Sequence, residues 1–264
     1  MSWMGTGYGG IEDAWKKLGE GKGPRRVWIP PEKTVRLMFL DDDPSTFWEH
    51  QFSYNGDFKN WEPCVTRNKI GPECPICKVF VDDVEDSKDK RYAYFVGLHT
   101  AINMTPWFTK KGHQEVNFVR EVYASKLGSD KKPGVLKKLK KLKEKHGRLR
   151  GLVFDIERPG KQTESCGSEF ELVEKVDPSE IAAYANKQLS EYLTRVNEGL
   201  PADKQMTLEK QLQRNPWEPY NFETMIKPRP IDELRQMFAR RGAVKGVEDG
   251  DERESGGAED DLPY

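Results

Sequence analysis

Three of the four cysteines lie close together in the sequence, at positions 64, 74 and 77. Cys74 and Cys77 form a C-x2-C pair with prolines at positions 72 and 75 beside them, and Cys64 precedes the pair by ten residues. Clustered thiolates of this kind are typical zinc ligands in a reducing compartment, whereas the uneven spacing does not suit a disulfide framework. The sequence therefore predicts one structural Zn²⁺ ion, with three free thiols as the alternative interpretation.

A structural zinc site takes four protein ligands, so these three thiolates need one more, and histidine is the natural completion. His50 is the nearest histidine in the sequence, His99 is its competitor, and Cys166 is a remote possibility. With all four positions filled by protein, the metal holds a loop in place and leaves no open position for chemistry. Paired carboxylates beside a general base are not found either, because the run Asp41–Asp43 is typical of a turn. We therefore do not expect an enzyme.

Aromatic and basic residues accompany the cysteines and the segment that follows them. Single strands are bound where cations follow the phosphates and where aromatic faces stack on bases. We predict that the nucleic-acid-binding residues are Trp61, Arg67, Lys69, Arg91, Tyr94, Trp107, Phe108, Lys110 and Lys111. For any one aromatic side chain, packing in the core is the alternative. Because no sequence-reading motif is present, we expect binding with little base preference.

The charge is segregated along the chain, although the net charge is only −1. Residues 247–264 carry eight acidic residues and one Arg, which leaves 36 acidic and 42 basic residues in positions 1–246. A basic body with an acidic end points to a polyanionic ligand for the body. Residues 131–150 hold ten Lys or Arg and one Glu, and the helix expected there can contact DNA, form a solvated face or bind an anionic membrane.

The spacing His50-x13-Cys64-x9-Cys74-x2-Cys77 resembles the zinc site of the T4-type phage helix-destabilising, single-stranded-DNA-binding proteins. The resemblance covers about residues 34–176, and the three cysteines are its specific element. It implies that His50, Cys64, Cys74 and Cys77 are the zinc ligands and that they staple a subdomain onto an OB fold. It further implies a phage or phage-derived protein that coats single-stranded DNA. Self-association along DNA is part of that expectation, although residues 1–26 hold no clear counterpart of the family's short basic, hydroxyl-rich motif.

The last residues are similar to the tail peptide of bacterial single-stranded-DNA-binding proteins, with acidic residues, an aliphatic residue, a proline and a terminal aromatic ring. A partner can take the ring in an apolar pocket while a basic residue pairs with the carboxylate. The resemblance implies that polymerase, helicase-primase or recombination proteins bind here, and a merely solubilising tail is the alternative. The residues of this expected partner site are Asp260, Asp261, Leu262, Pro263 and Tyr264.

The elements that must position these residues follow from the apolar patterning. Strands are predicted at Thr34–Leu40, Thr46–Phe52, Tyr92–Met104, Glu115–Ala124, Leu149–Glu157 and Glu169–Val176. Helices are predicted at Val135–His146, from an N-cap at Asp177 to Asn197, and at Ile231–Arg241. Strands, one helix and two more strands are the order of a five-stranded OB barrel. We thus predict a mainly β fold with added helices (α+β), an OB-type barrel with an inserted zinc subdomain.

The same patterning predicts four regions: a flexible basic arm at 1–30, the OB-type core at 31–176 with its zinc insertion at about 50–88, a helical extension at 177–242 and a disordered acidic tail at 243–264. No apolar run approaches the ~20 residues of a membrane span, so we expect a cytoplasmic protein without a membrane partner. The expected function is to bind single-stranded DNA without covalent chemistry and to recruit replication or repair proteins. The alternative is a zinc-ribbon transcription or recombination factor that binds duplex DNA or a polymerase.

Overall fold

The structure is a computed structural model that describes residues 25–54, 57–82, 93–105, 107–108, 114–115, 118–129, 133–198, 201, 205–214 and 217–236. Its strands are β1 Lys33–Phe39, β2 Ser45–Tyr54, β3 Asp57–Pro63, β4 Tyr94–Asn103, β5 Trp107–Phe108, β6 Gln114–Glu115, β7 Val119–Lys126, β8 Leu152–Arg158 and β9 Glu169–Lys175. Its helices are α1 Pro75–Asp82, α2 Val135–His146, α3 Ile181–Asn197, α4 Leu208–Arg214 and α5 Phe222–Met225, and residues 231–236 are also helical. None of the helices in these ranges is long and apolar enough to cross a bilayer.

Seven strands form one open sheet in the order β3-β2-β4-β1-β8-β9, with β7 paired to β4. The pairings of β1, β4, β7, β8 and β9 are antiparallel, and the long strand β4 meets β2 at its start, β1 at its end and β7 along its other edge. The predicted mainly β fold with added helices is confirmed. The sheet has seven strands where a five-stranded OB-type barrel is predicted, and its described pairings do not show a closed barrel.

One of the additional strands, β3, lies between the predicted strands Thr46–Phe52 and Tyr92–Met104, where no strand is predicted. Its apolar residues Phe58 and Trp61 are three positions apart, so the two-residue alternation that indicates a strand is missing. Helix α1 lies in the same segment and is not predicted either, because it is only eight residues long, follows Pro72 and begins with Pro75. The predicted helix Val135–His146, by contrast, has the predicted bounds.

The chain divides into two compact units. The sheet unit comprises Met1–Glu49 and Tyr94–Lys227, and the cysteine unit comprises His50–Ala93 and Pro228–Tyr264. In the sheet unit, alternate residues of β1 and the residue after it enter different cores: Leu37 and Phe39 join one, and Met38 and Leu40 the other. Successive side chains of a strand point to opposite faces of the sheet, and here both faces are covered by a core. The sequence is therefore continuously apolar from Leu37 to Leu40.

Each of these two cores is covered by one helix. Helix α2 packs Val135 and Leu139 into the first core, and α3 packs Ile181, Leu189 and Tyr192 into the second. Helix α3 begins at Ile181 rather than directly after Asp177, since Asp177 accepts a 2.9 Å hydrogen bond from the Ser179 N–H in the preceding turn. The predicted N-cap at Asp177 is therefore wrong, and Glu180 occupies that position.

Residues 25–30 of the predicted flexible arm belong to the sheet unit and line its first core. The N–H of Val27 donates to the Val122 carbonyl at 2.9 Å, and that of Ile29 donates to the Ser165 carbonyl at 2.7 Å. Val27 and Ile29 are both buried in the core, which their β-branched side chains fit. The rest of the predicted arm, residues 1–24, and the predicted acidic tail lie outside the described residues.

Candidate metal centre

Four side chains from three elements of the cysteine unit converge on one point. His50 lies on β2, Cys64 follows the last residue of β3, and Cys74 and Cys77 lie immediately before and in the first turn of α1. Residues three apart on a helix share one face, so the C-x2-C spacing places both thiols on the same side. Pro75 occupies the first helical position, where its missing N–H has no helical partner to lose. The Lys78 N–H donates to the Cys74 carbonyl at 3.3 Å and closes the turn.

The distances between the four ligand atoms match those of a tetrahedral zinc site. With Zn–S bonds of ~2.3 Å and a Zn–N bond of ~2.0 Å, tetrahedral angles place two sulfurs ~3.8 Å apart and a sulfur ~3.5 Å from the nitrogen. The Cys64 and Cys77 sulfurs are 3.6 Å apart, and the His50 Nε2 atom is 3.5 Å from the Cys74 sulfur and 3.4 Å from that of Cys77. All four ligand atoms lie within 4.8 Å of one another. The cluster could therefore hold a metal ion such as zinc.

Burial and mutual contact set the protonation of these groups. Burial lowers the pKa of His50, but hydrogen bonds with Cys64 and Cys74 outweigh it and raise that pKa to about 9. The hydrogen bonds that join the three thiols lower the pKa of Cys74 and raise that of Cys77. The helix N-terminus beside Cys74 also favours a thiolate. A metal cation would replace the shared protons, since zinc binds deprotonated thiols and a neutral imidazole.

The surroundings of the cluster fit a closed structural centre. His50, Cys64 and Cys74 are buried and all four cysteines of the chain are free thiols. The His50 Nδ1 atom is buried without a hydrogen-bond partner among the described residues, so only its Nε2 atom is engaged. A zinc ion bound by all four side chains would have its four tetrahedral positions filled by protein. The centre can hold the β3 end and α1 together, which a short helix and a small core need.

Glu62 and Arg229 form an ionic contact within the cysteine unit. This contact is not predicted from the sequence. Glu62 is buried, and its carboxylate accepts the Arg229 N–H at 2.7 Å while the Arg229 Nε atom lies 3.5 Å from its other oxygen. Burial raises the pKa of Glu62 to about 7 against the opposing effect of Arg229. The two residues are 167 positions apart, and no local sequence pattern indicates such a pair.

His99 and Cys166, the other ligand candidates, lie in the sheet unit and are not part of the cluster. His99 is buried edge-on to Phe39, with ring centroids 5.5 Å apart, and neither ring nitrogen has a partner in the described ranges. Burial lowers the pKa of His99 to about 4, so the ring is neutral. Cys166 is buried 3.7 Å from the Gly167 carbonyl, and burial raises its pKa to about 12. Both are core residues.

The predicted nucleic-acid residues fall into three groups. In the cysteine unit, Trp61 is 37% exposed on β3, and Arg67 and Lys69 are exposed on the turn after Cys64. In the sheet unit, Tyr94 is 38% exposed at the start of β4. The backbones of Trp107 and Phe108 form β5, which pairs with β6. Arg91, Lys110, Lys111 and the predicted partner site Asp260, Asp261, Leu262, Pro263 and Tyr264 lie outside the described residues.

Lys126 contacts Tyr94, one of the predicted nucleic-acid residues. Its ammonium group lies 4.0 Å from the centroid of the Tyr94 ring, a cation–π contact within the sheet unit. The register of β4 and β7, which pairs Val96 with Lys126, brings the two residues together. A lysine alternating with apolar residues at the end of a strand gives no sign of this contact.

Comparisons of the chain with protein-family models, with curated proteins and with solved structures found no match.

Proposed function

We propose that the protein is a zinc-stapled single-stranded-DNA-binding protein of phage type, built on an OB-type β scaffold. In this proposal it coats and protects single-stranded DNA during replication, recombination and repair and performs no covalent chemistry. Its acidic C-terminal residues, which end in Leu262-Pro263-Tyr264, recruit polymerase, helicase-primase or recombination proteins. The zinc ion is held by His50, Cys64, Cys74 and Cys77.

One observation carries the proposal: the unit with the four-ligand cluster also exposes an aromatic ring and two cations. Trp61 precedes Cys64 by three residues, and Arg67 and Lys69 lie in the turn that begins after it. The turn is fixed by hydrogen bonds from the Asn68 N–H to the Cys64 carbonyl, 3.1 Å, and from the Ile70 N–H to the Val65 carbonyl, 2.9 Å. A metal bound by Cys64 would therefore fix the turn from which Arg67 and Lys69 project, next to the end of β3 that carries Trp61.

The chemistry of these side chains favours a single strand over a duplex. The indole ring of Trp61 is exposed by more than a third and offers a face on which an unpaired base can stack. In a duplex, the faces of each base are covered by the neighbouring base pairs and are not accessible to such a ring. The cations contact phosphates without reading the sequence. Because the four-ligand cluster leaves no open coordination position, a hydrolase has no place for its nucleophile.

The test measures binding of the full-length, zinc-loaded protein to labelled oligo-dT and to a hairpin duplex of equal length, by fluorescence anisotropy at several salt concentrations. We expect oligo-dT to bind much more tightly than duplex. Replacing Trp61 by Leu should weaken oligo-dT binding by ~1–3 kcal/mol, about 5- to 150-fold, as expected for one lost base stack.

The charge contribution is tested by the double variant Arg67→Gln and Lys69→Gln. If each cation contacts one phosphate, the slope of log K against log salt concentration should fall by about 1.4. Lys187→Gln, on the exposed face of α3, is the control and should leave both affinity and slope unchanged. A preference for duplex would reject the proposal and favour the zinc-ribbon alternative.

A further inference from the structure

Helix α2 shows a strongly basic face that the proposed function does not yet use. Its inner side is fixed by Val135, Leu136 and Leu139, which are buried against the sheet unit. The helix contains six lysines and one glutamate in its twelve residues. Lys137, Lys141 and Lys145 recur every fourth residue and so lie on the outer side, ~6 Å apart along the axis.

The stability of the helix does not account for this composition. Lysines near a helix N-terminus oppose the macrodipole, yet Lys137 and Lys138 lie in the first turn of α2, where the acidic group comes from outside the helix: the Glu164 carboxylate accepts the Val135 N–H at 2.8 Å. The pairs 137/141 and 141/145 place like charges at helical spacing, which is destabilising. Within the helix, the one ion pair in the described structure joins Lys140 to Glu144 at 3.7 Å. A face selected only for solubility would be expected to mix the two signs.

Several of these lysines are already neutralised by other parts of the sheet unit. Lys138 contacts Glu169 at 3.1 Å and Lys143 contacts Asp43 at 2.5 Å. Lys141 and Lys145 have no ion-pair partner in the part of the chain that the structure describes. The pKa of His146 is lowered by burial and by Lys175 and Lys145, which shows that cations gather at this end of the helix.

We propose that Lys141 and Lys145 of α2 form a second contact surface for the sugar-phosphate backbone of the bound nucleic acid. This inference rests on the proposed function and deepens it, since it assigns a part of the bound strand to the sheet unit. A membrane surface is a poorer fit, because an interfacial helix inserts its apolar face into the lipid and the apolar face of α2 is occupied by the protein core. Phosphates require only exposed cations.

The test uses the full-length, zinc-loaded double variant Lys141→Gln and Lys145→Gln. Its matched control is Lys187→Gln with Lys210→Gln, which removes the same charge from exposed positions on α3 and α4. A long oligo-dT is titrated at several salt concentrations. We expect the slope of log K against log salt concentration to fall by about 1.4 in the α2 variant, and affinity at low salt to fall at least tenfold. The control should match the wild type in both.

Three outcomes would overturn the inference. If the wild type binds oligo-dT and the α2 variant binds like the control, the surface is not used while the proposed function stands. If the α2 variant loses binding to vesicles of phosphatidylglycerol and phosphatidylcholine but keeps its oligo-dT affinity, the surface is a membrane contact. If the wild type binds no single strand, the proposed function fails and this inference fails with it. A thermal melting temperature equal to or above that of the wild type shows that the α2 variant is folded, since the substitution relieves like-charge repulsion.

Discussion

His99 gives the sharpest stability prediction, because it is a histidine that the fold keeps neutral. The ring is fully buried on β4 beside Phe39, and its nitrogens have no hydrogen-bond partner among the described residues. Asp43 and Lys143 are the charged groups that act on it, with opposite effects. Replacing His99 by Leu should remove two unsatisfied polar atoms while approximately conserving volume. We therefore expect His99→Leu to be neutral or stabilising by ~1–2 kcal/mol at pH 7.

The lowered pKa of His99 also makes the free energy of unfolding depend on pH, and the size of this effect follows from the two pKa values. Burial lowers the pKa of His99 from 6.5 to about 4, so the unfolded chain takes up a proton between these values and the folded chain does not. The contribution of the neutral His99 to the free energy of unfolding is fully present above pH 6.5 and is lost as the pH falls toward 4. Linkage with these two values gives a loss of ~2 kcal/mol between pH 7 and pH 5. The Leu variant should lack this part of the pH dependence.

Urea unfolding of the zinc-loaded wild type and of His99→Leu at pH 7, 6 and 5 measures this difference directly. His146→Leu is the control: the pKa of the half-buried His146 is also lowered, but less than that of the fully buried His99, so its removal should take away only a small part of the pH dependence. Parallel stability curves for the wild type and the His99 variant would refute the reasoning. Metal content gives a second readout: His99→Leu should retain one zinc ion, and loss of zinc would show that His99, not His50, is the fourth ligand.

Three further predictions concern the two units. The Glu164 carboxylate accepts hydrogen bonds from the backbone N–H groups of Lys126 and Val135, each at 2.8 Å. Glu164→Gln should therefore lower the free energy of unfolding in urea by ~2 kcal/mol. The control Glu169→Gln, at an exposed position, should change that free energy by less than ~0.5 kcal/mol. Arg26 donates two hydrogen bonds, of 2.9 and 2.7 Å, to the buried carboxylate of Glu49. Arg26→Gln should therefore lower the free energy of unfolding by ~3 kcal/mol. The control Arg36→Gln, which removes the more exposed ion pair with Asp155, should lower it by less than ~1 kcal/mol. Chelation of the metal should abolish hydrogen-exchange protection of residues 64–78 and leave that of β4 and β8 intact; equal loss in both units, or none, would contradict a metal that stabilises the cysteine unit alone.

The sequence was sufficient where one periodic pattern dominates. Helix α2 was predicted to its last residue because Val135 and Leu139 mark its buried stripe, and Gly147, in a left-handed conformation at φ 80°, ends it. The strands β1, β4, β8 and β9 were found within a few residues for the same reason. Burial of Val27 and Ile29 was not foreseen, since a glycine-rich and basic segment precedes them and pairing with β7 is a tertiary contact.

The candidate metal site was predicted in part. The cysteine spacing was enough to select three ligands, but the choice between His50 and His99 needed the fold. Both histidines lie on strands, and only the path of β2 toward β3 shows which of them meets the thiols. The contacts of Glu62 with Arg229 and of Tyr94 with Lys126 depend on tertiary packing and strand register, for which one sequence carries no signal.

X-ray absorption at the zinc edge of the purified protein tests the central claim most directly. A closed centre made by His50, Cys64, Cys74 and Cys77 predicts one zinc per chain with three sulfur ligands at ~2.3 Å and one nitrogen at ~2.0 Å. The variant Cys74→Ser should lose the ion. An absence of zinc, or a zinc ion with a water oxygen among its ligands, would contradict a closed centre that serves structure alone.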